Sequence, residues 1–148
     1  MNGETIEQNK YNSQDEGLKG NEKIEEAIKE LQHEATPEQL AHTLTVIRRR
    51  MGEGGQLIVS VEPAFGSNNL NIQTIKTDDG LLWWVAFTSF DEELLGADTV
   101  KSTFLSDMDK LFEAAYKEPL INGIIINPWN RTIMLDKRLI RITMPKRG

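Results

Sequence analysis

Five carboxylates crowd the middle of the chain: Asp78, Asp79, Asp91, Glu92 and Glu93. In such density they could act as a general acid–base pair or share a cation. Each also has a simpler use. Asp78-Asp79-Gly80 has the composition of a hairpin turn. Ser89-Phe90-Asp91-Glu92 is a capping box, in which anions favour the positive end of a helix dipole. No serine lies in a nucleophile elbow, and Ser60, within a strand pattern, has no identifiable base. The absence of Cys removes disulfides, thiolate metal sites and cysteine nucleophiles together. His33 and His42 are too few for a three-histidine site and lack the spacing of a metalloprotease helix. No catalytic, cofactor-binding or metal-ligating residue is therefore assigned, and no cofactor is expected.

The remaining residues with binding potential are aromatic. Trp83, Trp84, Phe87, Phe90 and Trp129 fall on or beside strand ends and turns. Tryptophan buries a large area while keeping a polar N–H, which suits a core and an interface equally. Trp129 lies in the turn Asn127-Pro128-Trp129-Asn130, and turns run over the surface. The expected partner-binding set is Trp129 and Trp83 with Phe90, Asp91, Glu92 and Glu93.

These residues need a scaffold, and 148 residues are enough for one domain with a core. The formal charge is -6, distributed unevenly. Residues 1–40 hold ten Asp/Glu against four Lys, whereas residues 131–148 hold six Lys/Arg against one Asp. An acidic chain is a poor nucleic-acid binder, because phosphate neutralisation needs clustered cations, and a better partner for a basic protein. No apolar run approaches bilayer length, and the first twenty residues lack the pattern of a signal peptide, so a cytoplasmic protein without a membrane partner is expected.

Residues 1–20 are polar and without apolar periodicity, which predicts disorder. Asn21 is placed as the N-cap of a first helix, with Ile24, Ala27, Ile28 and Leu31 on one stripe. Thr36-Pro37-Glu38-Gln39 opens a second, carrying Leu40, Leu44, Ile47 and Met51 inward. Its Arg48, Arg49 and Arg50 complement the carbonyl end of the helix. Leu57–Val61, Leu70–Lys76 and Leu81–Thr88 read as strands, the last two paired through the Asp79-Gly80 turn. Leu81–Thr88 is apolar on both alternating faces and must be covered on both. Ser106-Asp107-Met108-Asp109 reads as another capping box, opening a helix closed by Pro119. Gly123–Ile126 and Thr132–Leu135 are two more strands; Leu139, Ile140 and Ile142 add a last strand or a helical turn. The predicted fold is α+β: two N-terminal helices, a mixed or mainly antiparallel sheet of about five strands, and a helix between strands 3 and 4. The folded unit is placed at residues 21–142 and a basic tail at 143–148.

Within this pattern the hairpin turn, the strand end Phe87-Thr88-Ser89, and Ile124-Ile125-Ile126-Asn127-Pro128-Trp129 with the following Leu135 resemble the SseB-type N-terminal domain family. The likeness spans roughly residues 21–142. Trp83-Trp84 departs from it, since smaller residues are usual there. The resemblance implies an α+β domain, no established catalytic residues and no cofactor; related small domains look like interaction or immunity proteins of bacterial toxin systems. The resulting expectation is a non-enzymatic bacterial protein-interaction domain, in its most specific form an immunity protein that neutralises a cognate basic toxin domain. The alternative is a small-ligand-binding or enzymatic module using the Asp91–Glu93 carboxylates.

Overall fold

The computed structural model describes residues 16–63, 70–96 and 102–144. A short 3-10 turn, Glu16–Leu18, precedes helices α1 (Glu22–His33) and α2 (Pro37–Gly52). Strands β1 (Gln56–Pro63), β2 (Leu70–Ile72), β3 (Thr74–Lys76) and β4 (Leu82–Ala86) follow. Next come α3 (Phe90–Leu94), β5 (Ser102–Asp107), α4 (Met108–Lys117), β6 (Gly123–Ile126), β7 (Ile133–Asp136) and α5 (Lys137–Thr143). The α+β class is as expected. The strands form two sheets, one ordered β2-β1-β5 and the other β3-β4-β6-β7, instead of one sheet of about five.

The extra strands have physical causes. Residues 70–76 divide at Gln73, whose N–H donates to Ser60 O at 2.8 Å and whose carbonyl accepts from Val85 N at 3.0 Å. One continuous segment thereby leaves β1 and joins β4, carrying the backbone from one sheet to the other. The sheets are also pinned by reciprocal 2.9 Å hydrogen bonds between Ile58 and Phe87. Strand β5 hides from sequence reading because it pairs with β1 alone and is exposed along its first half. An edge strand of this kind needs no continuous apolar face. Its pairing runs to Asp107, so the helix begins at Met108 and Ser106 is no cap; its hydroxyl donates to Asp107 O at 3.4 Å.

The other caps divide similarly. Thr36 accepts from Gln39 N at 3.0 Å, while the Gln39 side chain turns to Glu30 instead of closing the box. Ser89 caps α3 through Glu92 N at 3.2 Å. Asn21 stands at its predicted position, but its own backbone is helical and its side chain makes no cap bond. The last apolar stretch is a helix, α5, capped by Asp136 through Leu139 N at 2.9 Å. Residues 16–20, expected disordered, pack on the domain: Leu18 joins a core cluster, and Gly17 O binds Arg50. Thr143, expected in the tail, is buried at the end of α5. Residues 1–15 and 145–148 lie outside the described residues.

The main core joins Ile24 and Ile28 of α1, Leu44, Ile47 and Met51 of α2, and Phe112 of α4 to the sheets through Leu57, Ala86, Ile124 and Leu135. Trp84 packs on its edge, half-buried. The opposite face of β4 builds a second cluster, where Val85 and Phe87 meet Ile58, Leu18, Ile75 and Leu105. Both faces of β4 are thus covered by the chain itself, as their doubly apolar pattern requires. At large-side-chain burial of roughly 1.5–3 kcal/mol each, Phe87 and Val85 make this second cluster a substantial part of folding.

Candidate interaction surface at the carboxyl ends of β4 and β6

Strands β4 and β6 are parallel, with Trp83 opposite Gly123 and Ala86 opposite Ile126. Both therefore end at one edge, and the polar residue ending each strand binds the other. Thr88 N donates to Asn127 Oδ1 at 2.9 Å, and Asn127 Nδ2 donates to Thr88 Oγ1 at 2.9 Å. The Thr88 hydroxyl donates to Glu25 Oε2 at 2.6 Å, and the other Glu25 oxygen accepts from Arg131 Nη1 at 3.1 Å. On the inner side, Asn21 Nδ2 donates to Thr88 O at 3.1 Å and Gln56 O at 2.8 Å, while its Oδ1 accepts from Arg50 Nε at 3.0 Å. Arg50 completes its fork on Gly17 O at 3.0 Å and Glu53 Oε1 at 2.9 Å. That hydrogen bond from Arg50 is the main reason the Glu53 carboxyl is held below its usual range.

Every member of this network is partnered, which makes it a rigid frame. It fixes the turn after β6. Asn127 and Arg131 take left-handed backbone, φ 56 and 47, and Asn130 N returns to Asn127 O at 3.3 Å. Asparagine accepts that conformation readily; Arg131 is held in it with its guanidinium tied to Glu25. Trp129 is projected from this turn, 46% exposed. Its indole lies over Gly96, where a Cβ would stand 2.2 Å from the ring, so only glycine admits this packing. Helix α3 is drawn to the same place, since Asn130 Nδ2 donates to Glu92 Oε2 at 3.2 Å. Phe90, Leu94 and Leu95 there remain 39%, 64% and 58% exposed.

The three carboxylates of α3 separate, because consecutive helical residues are turned by about 100°. Asp91 is exposed, Glu93 half-buried and Glu92 buried, with its Oε1 lacking any partner. Among the described residues no group of three His, Asp or Glu side chains is gathered as a metal ion requires. His33 and His42 are exposed on α1 and α2. Of the six expected partner-binding residues, Trp129, Phe90, Asp91 and Glu93 reach the surface here, whereas Glu92 is buried beneath it. Trp83 does not reach it. It is 6% exposed, donates from Nε1 to Thr77 Oγ1 at 3.1 Å, and stands three residues before Ala86, about 10 Å from the strand ends. The strand consumes it as core.

Sequence reading missed the frame itself: Asn21, Glu25, Arg50, Thr88, Asn127 and Arg131. A signal existed in Phe87-Thr88 and Ile126-Asn127, two apolar strands each ending on a residue able both to donate and to accept. Arg50, read with Arg48 and Arg49 as a helix-end cation, is instead buried in the frame. Comparison of the chain with protein-family models, curated proteins and solved structures finds no match. Among the described residues no helix is long and apolar enough to cross a membrane.

Proposed function

We propose that this chain is a non-enzymatic protein-interaction domain of the bacterial cytoplasm, and that the face formed by α3 and the 127–131 turn docks a basic protein. One observation carries the reading: Phe90, Leu94, Leu95 and Trp129, all large and apolar, remain exposed together beside Asp91 and Glu93. Apolar clusters with a polar rim mark interaction sites, and tryptophan is prominent among their energetic centres. The frame beneath supports it by holding the turn in one conformation, which lowers the ordering cost of binding. In its most specific form the partner is a basic toxin domain that the chain neutralises, in keeping with the motif likeness to SseB-type domains.

Co-expression with the product of the adjacent reading frame tests this. A complex is expected, and Trp129→Ala combined with Leu94→Ala should weaken it by more than about tenfold with the melting temperature unchanged. No association at micromolar concentration would sink the reading. A second reading, a small-ligand module on the α3 carboxylates, is favoured by the partnerless Glu92 Oε1 alone. It requires a cationic small molecule to raise the melting temperature of the native chain and not of Glu92→Gln.

A further inference from the structure

Helices α2 and α5 enclose a groove of about 470 Å³. On α2 its wall is a single stripe, Leu40, Ala41, Leu44 and Arg48, at the spacing of one helical face. From α5 come Arg138, Leu139 and Ile142. Leu44 is buried as part of the core, Leu40 and Leu139 are half-buried, and Ile142 is 51% exposed. The core-facing stripe of α2 therefore continues past the core into an uncovered channel. Thr45, also on this wall, spends its hydroxyl on Ala41 O at 2.9 Å. The groove's free hydrogen-bond donors are thus the guanidinium groups of Arg48 and Arg138.

Those groups are uncommitted. Among the described residues, ion pairs are made by Arg50, Lys110, Lys117 and Arg131, and by neither Arg48 nor Arg138. Lys137, next in sequence, is occupied by Glu118 O at 2.7 Å. No carboxylate lines the groove, although the chain as a whole is acidic. An occupant must therefore be apolar on the side facing Leu40, Leu139 and Ile142 and anionic at its margins. From Pro37 to Arg48 the wall is about 17 Å long at 1.5 Å per residue, room for about three turns of a partner helix. Small side chains at Ala41 and Thr45 leave its middle open to close approach. We infer that the α2–α5 groove docks an acidic amphipathic helix of a protein partner, with apolar anchors at i, i+4 and i+7 in the channel and carboxylates on Arg48 and Arg138. This surface lies on other helices and has the opposite charge to the α3 face, so the two assignments stand or fall separately.

The probe is a set of fluorescent helical peptides with leucine at i, i+4 and i+7 and the flanking positions filled by Glu, Gln or Lys, titrated against the full chain. The Glu set should bind saturably and the Lys set should not. The double variant Arg48→Glu, Arg138→Glu changes only exposed positions, so its melting temperature should be native; it should lose about tenfold or more in affinity for the Glu set and gain affinity for the Lys set. Ile142→Asp should weaken both. The inference is overturned if the Glu set fails to saturate by about 100 μM, or if charge reversal leaves its affinity unchanged. It is equally overturned if light scattering shows a dimer that charge reversal dissolves, for then a second copy of the chain fills the groove.

Discussion

The α3 face and the α2–α5 groove are both apolar and open, yet they are built in opposite ways. The first protrudes from two strand ends, is flanked by carboxylates, and rests on buried and part-buried hydrogen bonds running from Gly17 through Arg50 and Asn21 to Thr88, and from there to Asn127 and, through Glu25, to Arg131. The second is a hollow between helices, rimmed by guanidinium groups, and rests on an apolar stripe that continues into the core. Directional precision is needed where packing is sparse. A projecting turn with left-handed residues has little packing beyond Trp129 on Gly96 and relies on directional bonds, whereas a channel between packed helices is shaped by the helices themselves.

That contrast can be broken at graded depth. Trp83→Ala removes a fully packed side chain from β4, which supports both regions, and should destabilise by about 3–5 kcal/mol in urea unfolding. The half-buried Trp84 should cost less, about 2 kcal/mol; the reverse order would mean that the two faces of the strand are misassigned. Next, Asn127→Ala leaves the buried Thr88 N–H without its acceptor, while the Thr88 hydroxyl loses one donor and keeps Glu25, and should cost about 2–3 kcal/mol. It should abolish binding at the α3 face while acidic-peptide binding in the groove survives; loss of both would show the regions to be coupled. Trp129→Ala should change stability by less than about 0.5 kcal/mol and act on partner affinity instead.

The smallest effect is one of pH. Hydrogen bonds hold three carboxyls below their usual range: Gln56 and Lys110 at Asp107, Arg50 at Glu53, and Thr77 and the Leu81 N–H at Asp79. A folded pKa below the unfolded one favours folding above the unfolded pKa, and that contribution disappears as pH falls through the folded value. Melting temperature should therefore decline on acidification below the ordinary carboxylate range, and Asp107→Asn should flatten part of the decline. The groove, which has no carboxylate, should keep its shape through that range, as amide shifts of Leu40 and Leu139 would report.

Much of this architecture could be read from the chain. The stripes of α1 and α2, the Thr36 and Ser89 caps, the Asp79-Gly80 turn with Gly80 at φ 85, and the strand Gly123–Ile126 depend on local period and backbone preference, which neighbouring residues carry between them. The site was legible in part. Trp129 and Phe90 stood out by type, and the local turn and cap were read correctly, but the contact that brings the 127–131 turn to α3 was not. The failures share a cause. Strand β5, the break at Gln73, the burial of Trp83 and the separate fates of Arg48 and Arg50 all turn on which element lies alongside, at separations of tens of residues.

Local period and composition thus specified most of the helices and strands, the doubly apolar character of β4 and the absence of cysteine chemistry, because these are properties of neighbouring residues along the chain. Only the tertiary structure decided that β4 is closed on both sides by its own chain. It also decided that Asn21 is a frame residue instead of a cap, and that three adjacent arginines divide between a buried network and open surface. Directional bonds between residues 17, 21, 50, 88 and 127 exist only once folding has brought their carriers within about 3 Å of one another.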